Sequence, residues 1–209
     1  MKEEFVMSRK FFSIGSAIYI LALAMVTLPG CALIGLEEEE TYTQTHGSLF
    51  YLQGTWVSGC YANGSYYKKS TVVFSGTDYT ESTTDYPDSS CADSSKRYTL
   101  IHTQSNVIAR EHTTLSDGSA GYFITSTWVK STWTPQDSGL ISAFNSANGG
   151  SGLCGINSWQ LNQAMDVTGL DCGSSGNFAS QGDANTYKYS VSGNSLKLDH
   201  FISITFTKQ

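Results

Sequence analysis

Residues 187–198 read YKYSVSGNSLKL, a stretch in which a Gly-Asn pair separates two runs of alternating apolar and polar residues. Gly193 and Asn194 tolerate the positive backbone angles of a two-residue hairpin turn. Such a turn sets three pairs opposite each other on one face: Tyr187 and His200, Tyr189 and Leu198, and Val191 and Leu196. The stretch therefore predicts an antiparallel hairpin that buries one apolar stripe.

Similar turn signals recur towards the N-terminus. Asn63-Gly64, Gly76-Thr77 and Asp117-Gly118 each separate short runs rich in β-branched and aromatic residues. The first is expected to set Ala62 opposite Ser65, and the second Phe74 opposite Tyr79. The predicted strands lie near residues 50–60, 65–75, 78–86, 96–105, 107–116, 119–133, 185–192 and 195–207. About eight antiparallel strands in series predict an all-β meander that closes into a barrel, with a sandwich as the alternative.

The composition agrees with a single all-β domain. Of the 209 residues only 14% are charged, and 20 glycines stand against 3 prolines. That mixture favours an extracytoplasmic β protein over a helical bundle. The net charge of −6 gives no electrostatic reason to expect a nucleic-acid partner.

The N-terminus has the layout of an export signal. Lys2, Arg9 and Lys10 precede an apolar run over residues 11–28. A basic start, an apolar middle and small residues before a cut predict a signal peptide over residues 1–30. An uncleaved membrane anchor is the alternative, because a run of this length just spans a bilayer.

The end of this segment, Leu28-Pro29-Gly30-Cys31, resembles the lipobox of bacterial lipoproteins. The resemblance implies cleavage before Cys31, a lipid on its thiol and attachment to a membrane. Ala32 after the cysteine implies the outer membrane of a Gram-negative cell. Residues 31–48 include the run Glu37 to Glu40 and predict an acidic flexible tether, with an acidic binding tail as the alternative.

Four further cysteines lie in the domain at 49–209: Cys60, Cys91, Cys154 and Cys172. An even number in an exported chain indicates disulfides, with three connectivities. Sequential pairing, Cys60 with Cys91 and Cys154 with Cys172, closes the shortest loops and is the prediction. The alternative is a zinc site, but the cysteines lack close Cys-x-x-Cys spacing, so no metal site is predicted.

The strand pattern fails between residues 134 and 184. Thr134 and Pro135 are predicted to start a short helix, as its cap and first turn. Gly/Ser-rich segments and the Cys154 to Cys172 loop follow. This stretch is predicted to be an irregular, disulfide-linked insertion before the last hairpin, of the kind that serves as a lid or binding loop.

The segment Gly54-Thr55-Trp56 at the start of the domain resembles the Gly-x-Trp motif that opens lipocalin-like (calycin-type) barrels. The resemblance implies an eight-stranded barrel whose closed end is plugged by Trp56. The closing hairpin is similar to the end of small bacterial lipocalin-like lipoproteins. In either fold Trp56 is expected in the core.

The sequence carries none of the common catalytic motifs. The chain has no Gly-x-Ser-x-Gly elbow, no His-Glu-x-x-His and no phosphate-binding loop. His46, His102, His112 and His200 lie too far apart in sequence to share one element. The sequence therefore predicts a protein that is not an enzyme and needs no cofactor.

The predicted function is that of a membrane-anchored binding module. A lipocalin-like barrel implies a small apolar or amphipathic ligand inside, and the residues expected to line the cavity are Val73, Ile101, Ile124 and Leu198. The alternative is a structural or adhesive surface lipoprotein with a solid core, whose insertion at 134–184 contacts a protein or polysaccharide. The ligand-binding function and the adhesive function differ in how completely the inward side chains fill the barrel.

Overall fold

A computed structural model describes residues 49–199 and 203–209 of the chain. The predicted signal peptide and tether, which include Cys31 and His46, lie outside these residues, as does His200. The described strands are β1 (Gly54–Ser58), β2 (Tyr61–Asn63), β3 (Tyr66–Ser75), β4 (Asp78–Tyr86), β5 (Tyr98–Thr114), β6 (Ala120–Pro135), β7 (Met165–Asp166), β8 (Ala184–Ser192), β9 (Ser195–Asp199) and β10 (Ser203–Lys208). The helices are α1 (Leu49–Leu52) and α2 (Ser138–Ser146), with 3-10 turns at Asp93–Ser95, Asn148–Gly150 and Gly173–Ser175. No helix among the described residues is both long and apolar enough to cross a membrane.

Eight of these strands form a closed antiparallel barrel. They follow one another as β1-β3-β4-β5-β6-β8-β9-β10, and β1 closes the ring by pairing with both β3 and β10. Trp56 on β1 lies opposite Val72 on one side and Lys208 on the other. The short strands β2 and β7 add to the edges of β3 and β6. The predicted all-β barrel is confirmed.

Two of the predicted hairpins are confirmed in register. Phe74 pairs with Tyr79 across the turn at Gly76. Val191 pairs with Leu196, and Tyr189 with Leu198, across Gly193-Asn194. The third predicted pair of this hairpin includes His200 and lies outside the described residues.

The first hairpin has a different register from the predicted one. Asn63 pairs with Tyr66, so Gly64 and Ser65 form the turn instead of Asn63 and Gly64. Gly64 has a φ of 63°, whereas Asn63 has no positive φ. A turn with glycine alone in the left-handed region is of the II′ kind, which needs glycine at its first central position. The turn therefore lies one residue later than predicted, and the pairing of β2 with β3 is shifted accordingly.

Two strand boundaries were predicted wrongly. One error adds a strand and the other removes one, so the predicted number of barrel strands is still correct. The predicted strands 96–105 and 107–116 are a single strand, β5, because Asn106 adopts a φ of 54° where the pairing with β6 shifts. Asn tolerates this conformation, so the chain bulges there and does not turn. The predicted strand 195–207 is instead two strands, β9 and β10, which pair with each other.

One end of the barrel is closed by the segment that precedes β1. Trp56 is fully buried, and its indole Nε1 donates to the carbonyl oxygen of Leu52 at 2.6 Å. Gln53 fixes the same end by two hydrogen bonds with the backbone of Gly76. The apolar core that packs around Trp56 includes Val72, Phe74, Tyr189, Leu196 and Phe206. We call this end the floor of the barrel.

Residues 136–183, which we call the lobe, interrupt the barrel between β6 and β8. The predicted irregular insertion is confirmed, but α2 begins at Ser138 and is capped by Asp137, whose side chain accepts from the Gly139 N–H. Thr134 and Pro135 are not its cap and first turn, because they continue β6. A second apolar cluster joins the lobe to the barrel and contains Trp133, Leu153, Cys154, Trp159, Val167 and Cys172.

Both predicted disulfides are confirmed. Cys60 is bonded to Cys91 and Cys154 to Cys172. The first links the loop after β1 to the segment after β4, and the second lies inside the lobe. These four thiols are therefore not available to a metal.

Candidate functional site

The floor half of the barrel is filled by side chains. A cavity of about 10 Å³ remains there, between residues that include Tyr79, Ile124, Tyr187 and Leu198. A space of this size holds at most about one water molecule. Small-molecule sites in proteins are typically some hundreds of Å³, so this cavity is not itself a ligand site.

The predicted ligand contacts lie in two different places. Ile124 and Leu198 are buried and border the floor cavity. Val73 is 36% exposed and alternates with the buried Val72 and Phe74, which places it on the outer face. Ile101 lies between the inward-facing Leu100 and His102 on β5, which places it on the outer face as well. The expectation that Val73 and Ile101 line the interior is wrong, because strand alternation points them away from it.

The other end of the barrel, which we call the mouth, has interior side chains that solvent reaches. Pairing between β4 and β5 is regular from Tyr79–Gln104 to Asp85–Tyr98, so every second residue faces inwards. The inward set at the mouth comprises Glu81, Thr83, Leu100, His102 and, across β6, Trp128. All five are half-buried, although they face the interior. We call this set the vestibule.

Glu81 is the acidic group of the vestibule. Its Oε2 accepts from the Tyr79 hydroxyl at 2.9 Å, and its Oε1 from the Thr83 hydroxyl at 3.4 Å. Burial raises the pKa of Glu81 above its ordinary value of 4.5, and these hydroxyls and the charge of Lys68 offset only part of that effect. The site therefore holds a carboxyl group that is costly to ionise without a cation.

A line of hydroxyl groups connects Glu81 to the edge of the barrel. The Tyr61 hydroxyl lies 2.9 Å from Ser70 Oγ, which lies 2.7 Å from Thr83 Oγ1. Ser70 is fully buried and its backbone N–H donates to Ser58 Oγ. Burial raises the pKa of Tyr61, so this phenol keeps its proton. The hydroxyls hold Thr83 and Glu81 in fixed positions.

Between the vestibule and the floor lies a layer of neutral polar groups. Gln104 is fully buried; its Nε2 donates to the Tyr187 hydroxyl at 2.7 Å, and its Oε1 accepts from Ser126 and Asn185. Burial raises the pKa of both Tyr79 and Tyr187 well above the ordinary value. These groups satisfy one another, so the barrel below the vestibule is closed by a hydrogen-bonded layer.

Aromatic rings form one side of the vestibule. The His102 ring lies 4.8 Å from the Trp128 ring in an edge-to-face arrangement and 6.0 Å from Phe178 of the lobe. His102 Nδ1 lies 2.9 Å from the Ser131 hydroxyl. The lobe therefore contributes a ring to the mouth and takes part in the candidate site.

The hydroxyl beside His102 is enclosed by the protein. Ser131 is fully buried beside His102, and its backbone N–H donates to Thr168, so a substrate does not reach this hydroxyl. Among the described residues no three His, Cys, Asp or Glu side chains are placed to hold a metal ion. The expectation that no two histidines share an element is wrong, because His102 and His112 both lie on the long strand β5. His112 is nevertheless remote from the vestibule: it is exposed and stacks on Tyr122.

The polar residues of this site could have been found in the sequence from strand alternation, although they belong to no spacing motif. Once Phe74 is set opposite Tyr79, alternation along β4 puts Glu81, Thr83 and Asp85 on the inner face. Polar residues at inward positions of a barrel strand point to a polar interior. No protein-family model matches the chain, and a search of curated proteins finds no match.

Proposed function

We propose that this chain is an exported, lipid-anchored protein whose barrel mouth binds a small amphipathic molecule. The observation that carries the proposal is the vestibule: interior side chains that are aromatic, apolar and polar, and that remain half-buried. Small ligands usually bind among apolar and aromatic side chains with a few polar groups, and the vestibule offers this mixture. Because the floor is filled, the ligand is proposed to lie at the mouth and not deep in the barrel.

The lipid anchor rests on the sequence. Leu28-Pro29-Gly30-Cys31 after a basic and apolar segment supports acylation of Cys31. Likeness to lipocalin-like proteins is supported by Gly54-Thr55-Trp56, whose tryptophan lies in the core next to α1. The outer membrane is the proposed location, because Ala32 follows the cysteine.

The binding proposal is tested by native mass spectrometry of the full chain, exported by its host and purified in a mild detergent. A small molecule that is released on unfolding is expected with the wild-type chain. Leu100 packs against the second apolar cluster at the mouth, and Leu100→Trp adds bulk there and is expected to remove that molecule. Ile101→Trp is the matched control, because it adds the same ring at the next position along β5, which lies on the outer face of the barrel. A wild-type chain that carries no molecule, even after incubation with extract of the host, contradicts the proposal.

A second candidate function is favoured by the lobe. It has its own apolar cluster and disulfide, and Leu161 on it is 48% exposed. A fixed lobe on a filled barrel suits a surface protein that contacts a protein or polysaccharide. Under this reading Leu161→Ser weakens adhesion of cells that display the protein, whereas Leu100→Trp leaves adhesion unchanged.

A further inference from the structure

The tripeptide Ala-Asn-Gly occurs twice in the chain, in two different structural settings. The first copy, residues 62–64, leads into the turn between β2 and β3, and the second, residues 147–149, follows α2 in the lobe. An asparagine followed by glycine is prone to spontaneous deamidation, because glycine has no side chain to shield its backbone nitrogen. The two copies have the same sequence up to the glycine, so they allow the effect of the fold on this reaction to be compared within one chain.

The fold leaves the first copy accessible. Asn63 is the last residue of β2, and both Asn63 and Gly64 are exposed to solvent. The ladder joins Asn63 to Tyr66, so Gly64, the first residue of the turn, contributes no N–H to it. In the described part of the chain, neither the Asn63 side chain nor the Gly64 N–H forms a hydrogen bond. A Cβ added to Gly64 would meet no described atom within 4 Å apart from its chain neighbours, so the backbone nitrogen is not shielded.

The second copy is held by hydrogen bonds. Asn148 Nδ2 donates to the carbonyl oxygen of Gly152 at 3.1 Å. The backbone carbonyl of Asn148 accepts from the Ser151 N–H at 3.4 Å, and the residue has a φ of 51° at the start of its 3-10 turn. Reaction at Asn148 therefore requires that its side chain first leave Gly152 and that the turn open. Such local opening has a free-energy cost, which slows any chemistry that depends on it.

We propose that Asn63 is a site of spontaneous deamidation in the folded protein, whereas Asn148 is protected. The backbone nitrogen of Gly64 attacks Asn63 Cγ and closes a cyclic imide. The bond from Cγ to Nδ2 breaks, and the leaving NH₂ group takes the proton of the Gly64 N–H and departs as ammonia. Water then adds to one imide carbonyl and cleaves its bond to the nitrogen. Cleavage at Cγ gives aspartate, and cleavage at the backbone carbonyl of residue 63 gives isoaspartate, whose main chain runs through Cγ.

Peptide mapping by tandem mass spectrometry tests the proposal on the full chain, purified in a mild detergent and incubated at neutral and at mildly alkaline pH. Replacement of the amide by a carboxyl raises the mass at residue 63, and an isoaspartyl methyltransferase labels the isoaspartate product. Native Asn63 is expected to be lost several-fold faster than native Asn148, and faster at the higher pH, because the attacking nitrogen must lose its proton. Asn63→Gln is the matched control: its longer side chain disfavours ring closure, so no mass increase is expected at residue 63, while Asn148 behaves as in the wild type.

The same measurement on the reduced chain in denaturant shows whether the fold is responsible for the difference. There the two asparagines are expected to react at similar rates, because the hydrogen bond from Asn148 to Gly152 is lost. An Asn63 that stays native in the folded chain, or that is lost no faster than Asn148, overturns the proposal. A preference for Asn63 that is equally large in denaturant overturns the protection of Asn148 by the fold and assigns the difference to the residues that follow the glycines, Ser65 and Gly150.

Discussion

Two acidic residues lie on the inner face of β4, and burial disfavours the charged form of both, but their partners differ. Burial raises the pKa of both Glu81 and Asp85. Asp85 has a cation, because Arg97 Nη1 lies 2.9 Å from its Oδ2 and the guanidinium stacks 3.8 Å above the Tyr66 ring. Glu81 accepts hydrogen bonds from two hydroxyls, and Lys68 acts on it without forming an ion pair. Asp85 is therefore held by an ion pair, whereas the hydrogen-bonding partners of Glu81 are neutral hydroxyls.

The raised pKa of Glu81 predicts how stability depends on pH. A carboxyl whose pKa is higher in the folded chain favours folding most below its unfolded value of about 4.5. Its contribution is lost as pH rises through the folded value. We expect the free energy of unfolding, measured with denaturant at a series of pH values, to fall less steeply over this range in Glu81→Gln than in the wild type.

The buried Asp85 changes stability in the same direction, but it is present in both chains, so the difference between them isolates Glu81. Glu111→Gln is the matched control and is expected to follow the wild-type curve. An identical pH dependence in Glu81→Gln and wild type would mean that Glu81 is as well hydrated when folded as when unfolded.

At the scale of residues, the sequence predicted the disulfide pairing of the four cysteines correctly, but it predicted wrongly that Val73 and Ile101 face the interior. The pairing of the four cysteines followed from loop length alone. Val73 and Ile101 were chosen for being apolar, but outer positions of a barrel strand also carry apolar residues. Glu81 was missed because an isolated acidic residue in a polar strand has no spacing motif.

At the scale of elements, the hairpins at Gly76-Thr77 and Gly193-Asn194 were predicted to the residue, whereas the hairpin at Gly64 and the irregular elements were not. Alternation fixed the pairing of Phe74 with Tyr79 and of Tyr189 with Leu198, because a shift by one residue would expose the apolar face. The bulge at Asn106 and the cap at Asp137 depend on backbone angles and tertiary contacts. Such contacts are not encoded in local periodicity.

The lobe is the element whose stability depends most on a covalent link. The Cys154–Cys172 bond closes a loop with a sequence separation of 18 residues, and a loop of this size contributes about 3 kcal/mol. Replacing both cysteines by serine is expected to speed amide hydrogen exchange across the lobe. The barrel closes through pairs of β1 with β3 and β10, which lie outside the lobe. Exchange in those strands is therefore expected to stay slow.

The matched control replaces Cys60 and Cys91 by serine, which removes a disulfide outside the lobe. Faster exchange there is expected near β2 and the segment after β4. Faster exchange throughout the barrel after loss of Cys154 and Cys172 would contradict the independence of the two parts.

At the scale of the molecule, the filled floor and the half-buried vestibule differ in character, and the two ends of the barrel have different tasks. The floor carries the large apolar core around Trp56 and gives the barrel its stability. Its polar layer at Gln104 separates that core from the vestibule. A site at the mouth can thus include a charged group such as Glu81 without a charge entering the core.

The proposed lipid anchor leads to a prediction for the whole chain. Several acyl chains hold a protein stably on a membrane, because each buried methylene contributes about 0.8 kcal/mol. Cys31→Ser removes the proposed attachment site and is expected to abolish labelling with an alkyne fatty acid and to release the chain from the membrane fraction. The double variant Cys60→Ser, Cys91→Ser is the control, because it retains Cys31 and is expected to be labelled fully. Labelling that persists in Cys31→Ser would show that the lipid is attached elsewhere, and a chain that stays membrane-bound without label would favour the uncleaved apolar segment at 11–28 as the anchor.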